Sequence, residues 1–144
     1  MIGDAFEQAT QQLGPHAFQP DVNQRYNILA ASDLNFSLDA SRNPWKYGDL
    51  IVWEYHGKEN QQWRFIPDGN GNYTIRNVGM NMAVIHIPDF SNAKLGTHCK
   101  VGFPVDGIFE KWRIYAAQGP SEGKGYMIVS AYNGMVLDVA GGNN

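Results

Sequence analysis

The side chains best suited to covalent chemistry are poorly arranged for it. Cys99 is the single cysteine and directly follows His98, but neighbours in a strand point to opposite faces, so these two cannot form a nucleophile–base pair. Asp39 and Asp138 would act as a glycosidase pair only if they lay close together, and they belong to different repeats. The histidines show no metal-ligand spacing: they are His16, His56, His86 and His98. We therefore expect no enzyme activity, metal or cofactor.

Strand-forming segments occur in three repeats, and these would have to position any binding residues. Each repeat opens with a tyrosine followed two positions later by an isoleucine, a pattern that places both on one face of a short strand. With 16 glycines and only 17% charged residues, the sequence predicts an all-β chain. The opening strands span 26–29, 73–76 and 126–129, the second strands 36–40, 83–87 and 135–139, and closing strands 60–65 and 109–114.

The third repeat ends before its second half. It begins at Tyr126 and stops at Asn144, whereas the N-terminal residues 1–25 form an orphan half-repeat. There, Gly3-Asp4-Ala5-Phe6 aligns with Gly48-Asp49-Leu50-Ile51. An open sheet would expose unpaired edges and core, so we expect the N-terminus to complete the third unit. Residues 1–144 would then form one domain with units of about 26–72, 73–125, and 126–144 plus 1–25.

The motifs of the first unit resemble those of the ricin B-type (R-type) β-trefoil lectins. This unit reads Leu38-Asp39-Ala40, then Gly48 to Trp53, then Asn60-Gln61-Gln62-Trp63, and the third unit begins Leu137-Asp138-Val139. The resemblance implies a β-trefoil, in which six strands form a barrel and six form hairpins that cap one end. The repeat order resembles a circular permutation of the usual one.

The resemblance also implies a carbohydrate-binding site in the first unit. Asp39 would accept hydrogen bonds from ring hydroxyls, and Trp53 would stack on the apolar face of the sugar. Asn60 would add a hydrogen bond, and Gln61 would hold Asp39 in place. A terminal galactose or N-acetylgalactosamine is favoured, although Ile51 stands where related sites often carry a polar residue.

The other two units depart from this pattern. In the second unit, His86 replaces the aspartate, Val101 the aromatic residue and Phe109-Glu110 the amide pair, so we expect this unit to be structural only. The third unit keeps Asp138 as a possible second site, with Gln8 at the aromatic position.

A β-trefoil protease inhibitor is the alternative interpretation. Such an inhibitor would act through one protruding loop, for which residues 89–106, containing Gly96 and Pro104, are the best candidate. An inhibitor does not need an aspartate, a tryptophan and an asparagine at sugar-site spacing. Because the first unit has all three, the sequence favours a lectin.

Charge and composition limit the partners. The net charge is −3 without a run of lysine or arginine, which argues against a nucleic-acid role. The chain has no apolar stretch long enough for membrane insertion, and its N-terminus lacks the features of a signal peptide. With one cysteine, these features predict a cytoplasmic protein. The expected partners are glycans or glycoproteins, with a homodimer possible.

Overall fold

Short strands make up most of the regular structure in the part of the chain that the computed structural model describes, residues 2–3, 19–42, 48–88, 97–117 and 125–138. The all-β prediction is confirmed. In chain order the strands are β1 (Ile2–Gly3), β2 (Leu29–Ala30), β3 (Asp33–Ala40), β4 (Leu50–Glu54), β5 (Trp63–Pro67), β6 (Tyr73–Asn77), β7 (Ala83–His86), β8 (Lys100–Gly102), β9 (Trp112–Ala116), β10 (Tyr126–Ser130) and β11 (Val136–Leu137), with 3-10 turns at Glu59–Gln61 and Ile108–Glu110.

The strands form two antiparallel sheets. One contains β2, β3 and β4, and the other runs β1-β11-β10-β9-β6-β7-β8, with β5 also paired to β6. Isolated bridges from Tyr26 to Trp63 and from Asp49 to Lys100 connect the two sheets. None of the helices in these described ranges is long and apolar enough to cross a membrane.

The core is built around equivalent tryptophans of the first two units. Trp63 and Trp112 are fully buried, as predicted for residues that serve the fold. The indole of Trp63 donates a hydrogen bond to the carbonyl of Leu38 at 3.3 Å, and that of Trp112 donates to the carbonyl of Ile85 at 3.0 Å. The two units therefore make the same hydrogen bond at the tryptophan, although the second unit has two more residues between His86 and Lys100 than the first has between Asp39 and Ile51.

The closing strands begin later than the sequence predicted. Residues 60–65 and 109–114 were expected to be extended, but Asn60 and Gln61 lie in the first 3-10 turn, and Phe109 and Glu110 lie in the second. In the first turn the N–H of Gln61 donates to the carbonyl of Lys58 at 2.8 Å. Consecutive side chains of a strand point to opposite faces, whereas this turn allows two neighbouring side chains to point to the same place.

At the start of the chain, strand β1 pairs with β11, the last strand. Ile2 lies opposite Leu137 and Gly3 opposite Val136. In the first unit Leu38 lies opposite Val52, so Ile2 takes the place of Val52. The sequence alignment, which matched Phe6 with Ile51, is therefore wrong in register, because it followed a short Gly-Asp match. Residues 4–18 lie outside the described residues, and completion of the third unit by the N-terminus stays a prediction.

Candidate functional site

The hairpin of β3 and β4 places a carboxylate beside an exposed indole. Asp39 lies opposite Ile51, and Ser37 lies opposite Trp53. Alternate residues of a strand share a face, as do directly opposed residues, so Asp39 and Trp53 project from the same side of the hairpin. The Asp39 residue is only 3% exposed, whereas Trp53 is 58% exposed. A buried acidic group thus lies next to an accessible aromatic surface.

Two amides of the first 3-10 turn hold the carboxylate of Asp39. The side-chain nitrogen of Asn60 donates to Oδ1 at 2.9 Å, and that of Gln61 donates to Oδ2 at 2.9 Å. Both amide residues are buried. The structure therefore brings together all four residues predicted for the first unit, Asp39, Trp53, Asn60 and Gln61, and the contact expected between Gln61 and Asp39 is present.

Gln61 also fixes the loop that follows β4. Its Oε1 accepts the backbone N–H groups of His56 at 3.0 Å and Gly57 at 3.1 Å, while its Nε2 donates to the carbonyl of Glu54 at 2.9 Å. An amide with these four partners uses both its donors and its acceptor. The loop is consequently anchored to the same side chain that orients Asp39.

His56 is a site residue that the sequence analysis missed. Its Nε2 lies 3.7 Å from Oδ2 of Asp39. Its Nδ1 accepts the N–H of Lys58 at 3.0 Å, so in the neutral ring Nε2 carries the proton. The turn at Gly57, where φ is 72°, returns the chain toward Asp39. The spacing of His56 from Asp39 in the sequence does not predict this approach.

The equivalent positions of the second unit carry neither a carboxylate nor an aromatic platform. Val84 lies opposite Gly102, as Ser37 lies opposite Trp53, so Gly102 takes the aromatic position. The prediction that Val101 takes it is wrong by one residue, because Val101 lies in the buried core. A Cβ at Gly102 would lie 2.9 Å from Cε1 of His86, which shows that this imidazole lies against the glycine.

The 3-10 turn of the second unit takes the same place as that of the first. Glu110, at the place of Gln61, accepts the N–H of Val105 at 2.7 Å. Phe109, at the place of Asn60, contacts Tyr132 with ring centroids 4.5 Å apart. That the second unit is structural only stays a prediction.

The third unit is described only in part. Asp138 is exposed at the end of β11. Gln8 was matched to the aromatic position, but Gly3 lies opposite Val136, as Trp53 lies opposite Ser37, so the match is wrong in register. Gln8 itself and residues 89–96 of the candidate inhibitor loop lie outside the described residues. Within the described ranges, no group of three or more histidine, cysteine, aspartate or glutamate side chains could hold a metal ion.

Comparison with known structures identifies the architecture. A designed threefold-symmetric protein, ThreeFoil, is similar with a TM-score of 0.68 and 23% identity over 83% of this chain and 81% of that one. The Macrolepiota procera ricin B-like lectin in complex with lactose gives a TM-score of 0.69 and 22% identity, over 88% of this chain and 82% of that one. The Polyporus squamosus lectin, bound to the epitope Neu5Acα2-6Galβ1-4GlcNAc, gives 0.69 and 24% over 89% of this chain and 43% of that one. The β-trefoil prediction is confirmed.

A comparison with curated proteins gives no match. A family model described as ricin-type β-trefoil lectin domain-like matches residues 18–101, which include the whole of the first unit and its four predicted site residues. Together with the trefoil fold, this match over more than half of the chain shows that the protein belongs to the ricin-type β-trefoil lectin domain-like family.

Proposed function

We propose that this protein is a lectin without enzyme activity that binds a terminal sugar of a glycan or glycoprotein through the first unit. The observation that carries the proposal is the pairing of a buried carboxylate, held by two amides, with the exposed indole of Trp53. Carbohydrate recognition needs this combination, because a pyranose ring has one face rich in C–H groups and a rim of hydroxyls.

Asp39 supplies the orienting hydrogen bonds. An ionised carboxylate offers about four lone-pair sites, and Asn60 and Gln61 use one on each oxygen. The remaining sites can accept two adjacent ring hydroxyls, in charge-assisted bonds that are stronger than neutral ones. Because both amides are buried and fixed, the carboxylate loses little freedom when a sugar binds.

Trp53 and His56 complete the site. Stacking of the sugar on the indole removes apolar surface from water. Nε2 of His56, which lies 3.7 Å from the carboxylate, can donate its proton to a hydroxyl that lies over Asp39. Ile51, opposite Asp39, gives the site an apolar wall.

A galactose or N-acetylgalactosamine terminus is the favoured ligand. The Macrolepiota procera lectin is in complex with lactose, and the epitope bound to the Polyporus squamosus lectin contains galactose. A shallow site for one ring should bind with a dissociation constant on the order of 0.1–1 mM, or about −4 to −5.5 kcal/mol. Stronger attachment would come from clustered glycans or a homodimer, and we place the protein in the cytoplasm.

Isothermal titration with galactose, N-acetylgalactosamine and lactose tests the proposal. Asp39→Ala should weaken binding about 10–100-fold, because a hydrogen bond to a charged group contributes about 1.5–3 kcal/mol. Trp53→Ala should have a similar effect, whereas Asp138→Ala and His86→Ala serve as controls with small effects. A folded Asp39→Ala variant that binds like the parent protein would contradict the proposal.

Protease inhibition is the second candidate, supported by one feature of the candidate loop. In the described part of residues 89–106, Phe103 is 89% exposed and Val105 80% exposed, and apolar side chains so accessible suit contact with another protein. A protease panel tests this function independently of sugar binding. Inhibition that is lost in a Phe103→Ala, Val105→Ala double variant would support it.

A further inference from the structure

The aromatic surface of the first unit extends beyond Trp53 to Tyr55. The N–H of Tyr55 donates to the carbonyl of Asn35 at 2.8 Å, which continues the ladder of β3 and β4 by one residue pair. Tyr55 therefore lies on the same face as Trp53 and Asp39, about 6.5–7 Å further along the strand. The side of the hairpin that carries the proposed sugar site thus presents two aromatic residues in sequence.

Tyr55 is both accessible and fixed. It is 48% exposed, and its hydroxyl donates to Oδ1 of Asn27 at 3.4 Å. A Cβ at Gly57 would lie 2.9 Å from the Tyr55 hydroxyl oxygen and 3.3 Å from its Cζ, so the ring packs over the bare backbone of this glycine. An aromatic ring held in one position loses little conformational entropy when a ligand stacks on it.

The same contacts connect Tyr55 with the Asp39 site. Asn27, which receives the tyrosine hydroxyl, donates from Nδ2 to the carbonyl of Gln61 at 3.1 Å. Gln61 in turn holds Asp39. Across the hairpin, the exposed residue Asn35 adds an amide next to Tyr55. The second aromatic residue is therefore placed relative to the first by the turn that builds the carboxylate site.

We propose that Tyr55 and Asn35 form a second subsite, which binds the next ring of a glycan whose terminal sugar occupies the Asp39 site. The ligand class is then an oligosaccharide of at least two pyranose rings rather than a single terminal sugar. This inference rests on the proposed function of the first unit. The second ring stacks on Tyr55, and the amide of Asn35 hydrogen-bonds its hydroxyls.

Titration of two probes, methyl β-galactoside and lactose, tests the subsite. We expect lactose to bind the parent protein about 5–10-fold more tightly, the gain from burying a few tens of Å² of apolar surface. Tyr55→Ala should reduce lactose binding to the level of the monosaccharide and leave methyl β-galactoside unchanged. Asp39→Ala should weaken both, and Tyr126→Ala, which removes another exposed tyrosine, should change neither.

Saturation-transfer NMR gives a second readout. In the parent protein, protons of the glucose ring of lactose should receive saturation, and this transfer should be lost in Tyr55→Ala while that to the galactose ring remains. Equal affinity of the parent for the two probes, or equal weakening of both by Tyr55→Ala, would overturn the subsite alone. Absence of binding to either probe would overturn the galactose-type function and the subsite with it.

Discussion

Gln61 shows how one residue makes the fold and the site depend on each other. It is fully buried, accepts two backbone N–H groups of the loop after β4, and donates to Asp39 and Glu54. In the second unit a glutamate, Glu110, takes this place, and the residue equivalent to Asp39 is His86. The acid at this place does not face a second carboxylate, because the aspartate is absent from the second unit.

We accordingly predict that Gln61→Glu destabilises the protein strongly at neutral pH. The substitution would remove two donors and place a second carboxylate against Asp39 in a buried position, which should cost about 2–4 kcal/mol. Urea unfolding at pH 7 measures the difference.

Glu110→Gln is the matched control for this substitution. It restores the residue type of the first unit next to His86, without creating a like-charge pair, and its effect should stay within about 1 kcal/mol. A Gln61→Glu variant as stable as the parent at pH 7 would show that the Asp39 carboxylate does not need its amide donor.

At the scale of single residues, the sequence was a good guide where the pattern is local. Asp39, Trp53, Asn60 and Gln61 were identified from their spacing and their resemblance to a motif, and the structure brings them together. His56 was missed because its approach to Asp39 depends on the turn at Gly57. Val101 was mistaken for the residue at the aromatic position because the second unit has two more residues between its second and third strands, and the strand register places Gly102 there.

At the scale of elements, the turn between β5 and β6 contains an acid that the fold keeps ionised. Oδ1 of Asp68 accepts the N–H groups of Asn70 at 2.8 Å and Asn72 at 3.2 Å. The bond from the Asn70 N–H is the main cause that lowers the pKa of Asp68 below 3.8, with smaller contributions from Asn72 and Lys111, against an opposing effect of desolvation.

The turn should therefore lose stability in acid. A carboxyl whose pKa is lower in the folded state stabilises that state above the unfolded pKa, and the contribution is lost as the pH falls through the folded pKa. We predict that Asp68→Ala is less stable than the parent above pH 4 and that the two converge toward pH 2. Unfolding curves across this range measure the effect, and a difference that does not vary with pH would contradict it.

The N-terminal segment provides a second prediction at this scale. Ile2 and Gly3 extend the sheet at the edge of β11, so their removal would uncover that edge. We predict that deletion of residues 1–21 abolishes cooperative unfolding. The full chain is the control, and a single sharp transition in the deletion variant would show that the segment is dispensable.

The elements also show that the periodicity of a sequence cannot distinguish a strand from a 3-10 turn. The strands that open with tyrosine at 73 and 126 form as predicted, as β6 and β10, because their alternating pattern is uninterrupted. At Asn60 and Gln61, the same kind of prediction gave a strand where the chain forms a 3-10 turn. Bonds from the loop to Gln61 stabilise that turn, and these contacts between distant residues have no counterpart in the local pattern.

At the scale of the whole molecule, we predict one sugar site per chain. The first unit has the full set of residues, and the second has His86 and Gly102 at the two essential positions. Titration with lactose should give a stoichiometry of one, and a monomeric protein should not agglutinate cells, because cross-linking needs two sites. Two sites per chain would contradict this prediction, and loss of the second site in Asp138→Ala would place it in the third unit.

The shared strand register of the first two units shows that the number of sugar sites can change without a change of fold. Their tryptophans donate the same hydrogen bond to the second strand of the unit. The strand register is also the same at the ligand-facing positions, although the second unit has two more residues between His86 and Lys100. The number of sugars that one molecule holds can therefore change by substitution at a few surface positions, while the barrel stays as it is. His86→Asp, Gly102→Trp, Phe109→Asn and Glu110→Gln together would convert the second unit to the pattern of the first. By evolution or by engineering, a protein with this fold can therefore change from one that binds a single glycan into one that cross-links two glycan-bearing surfaces.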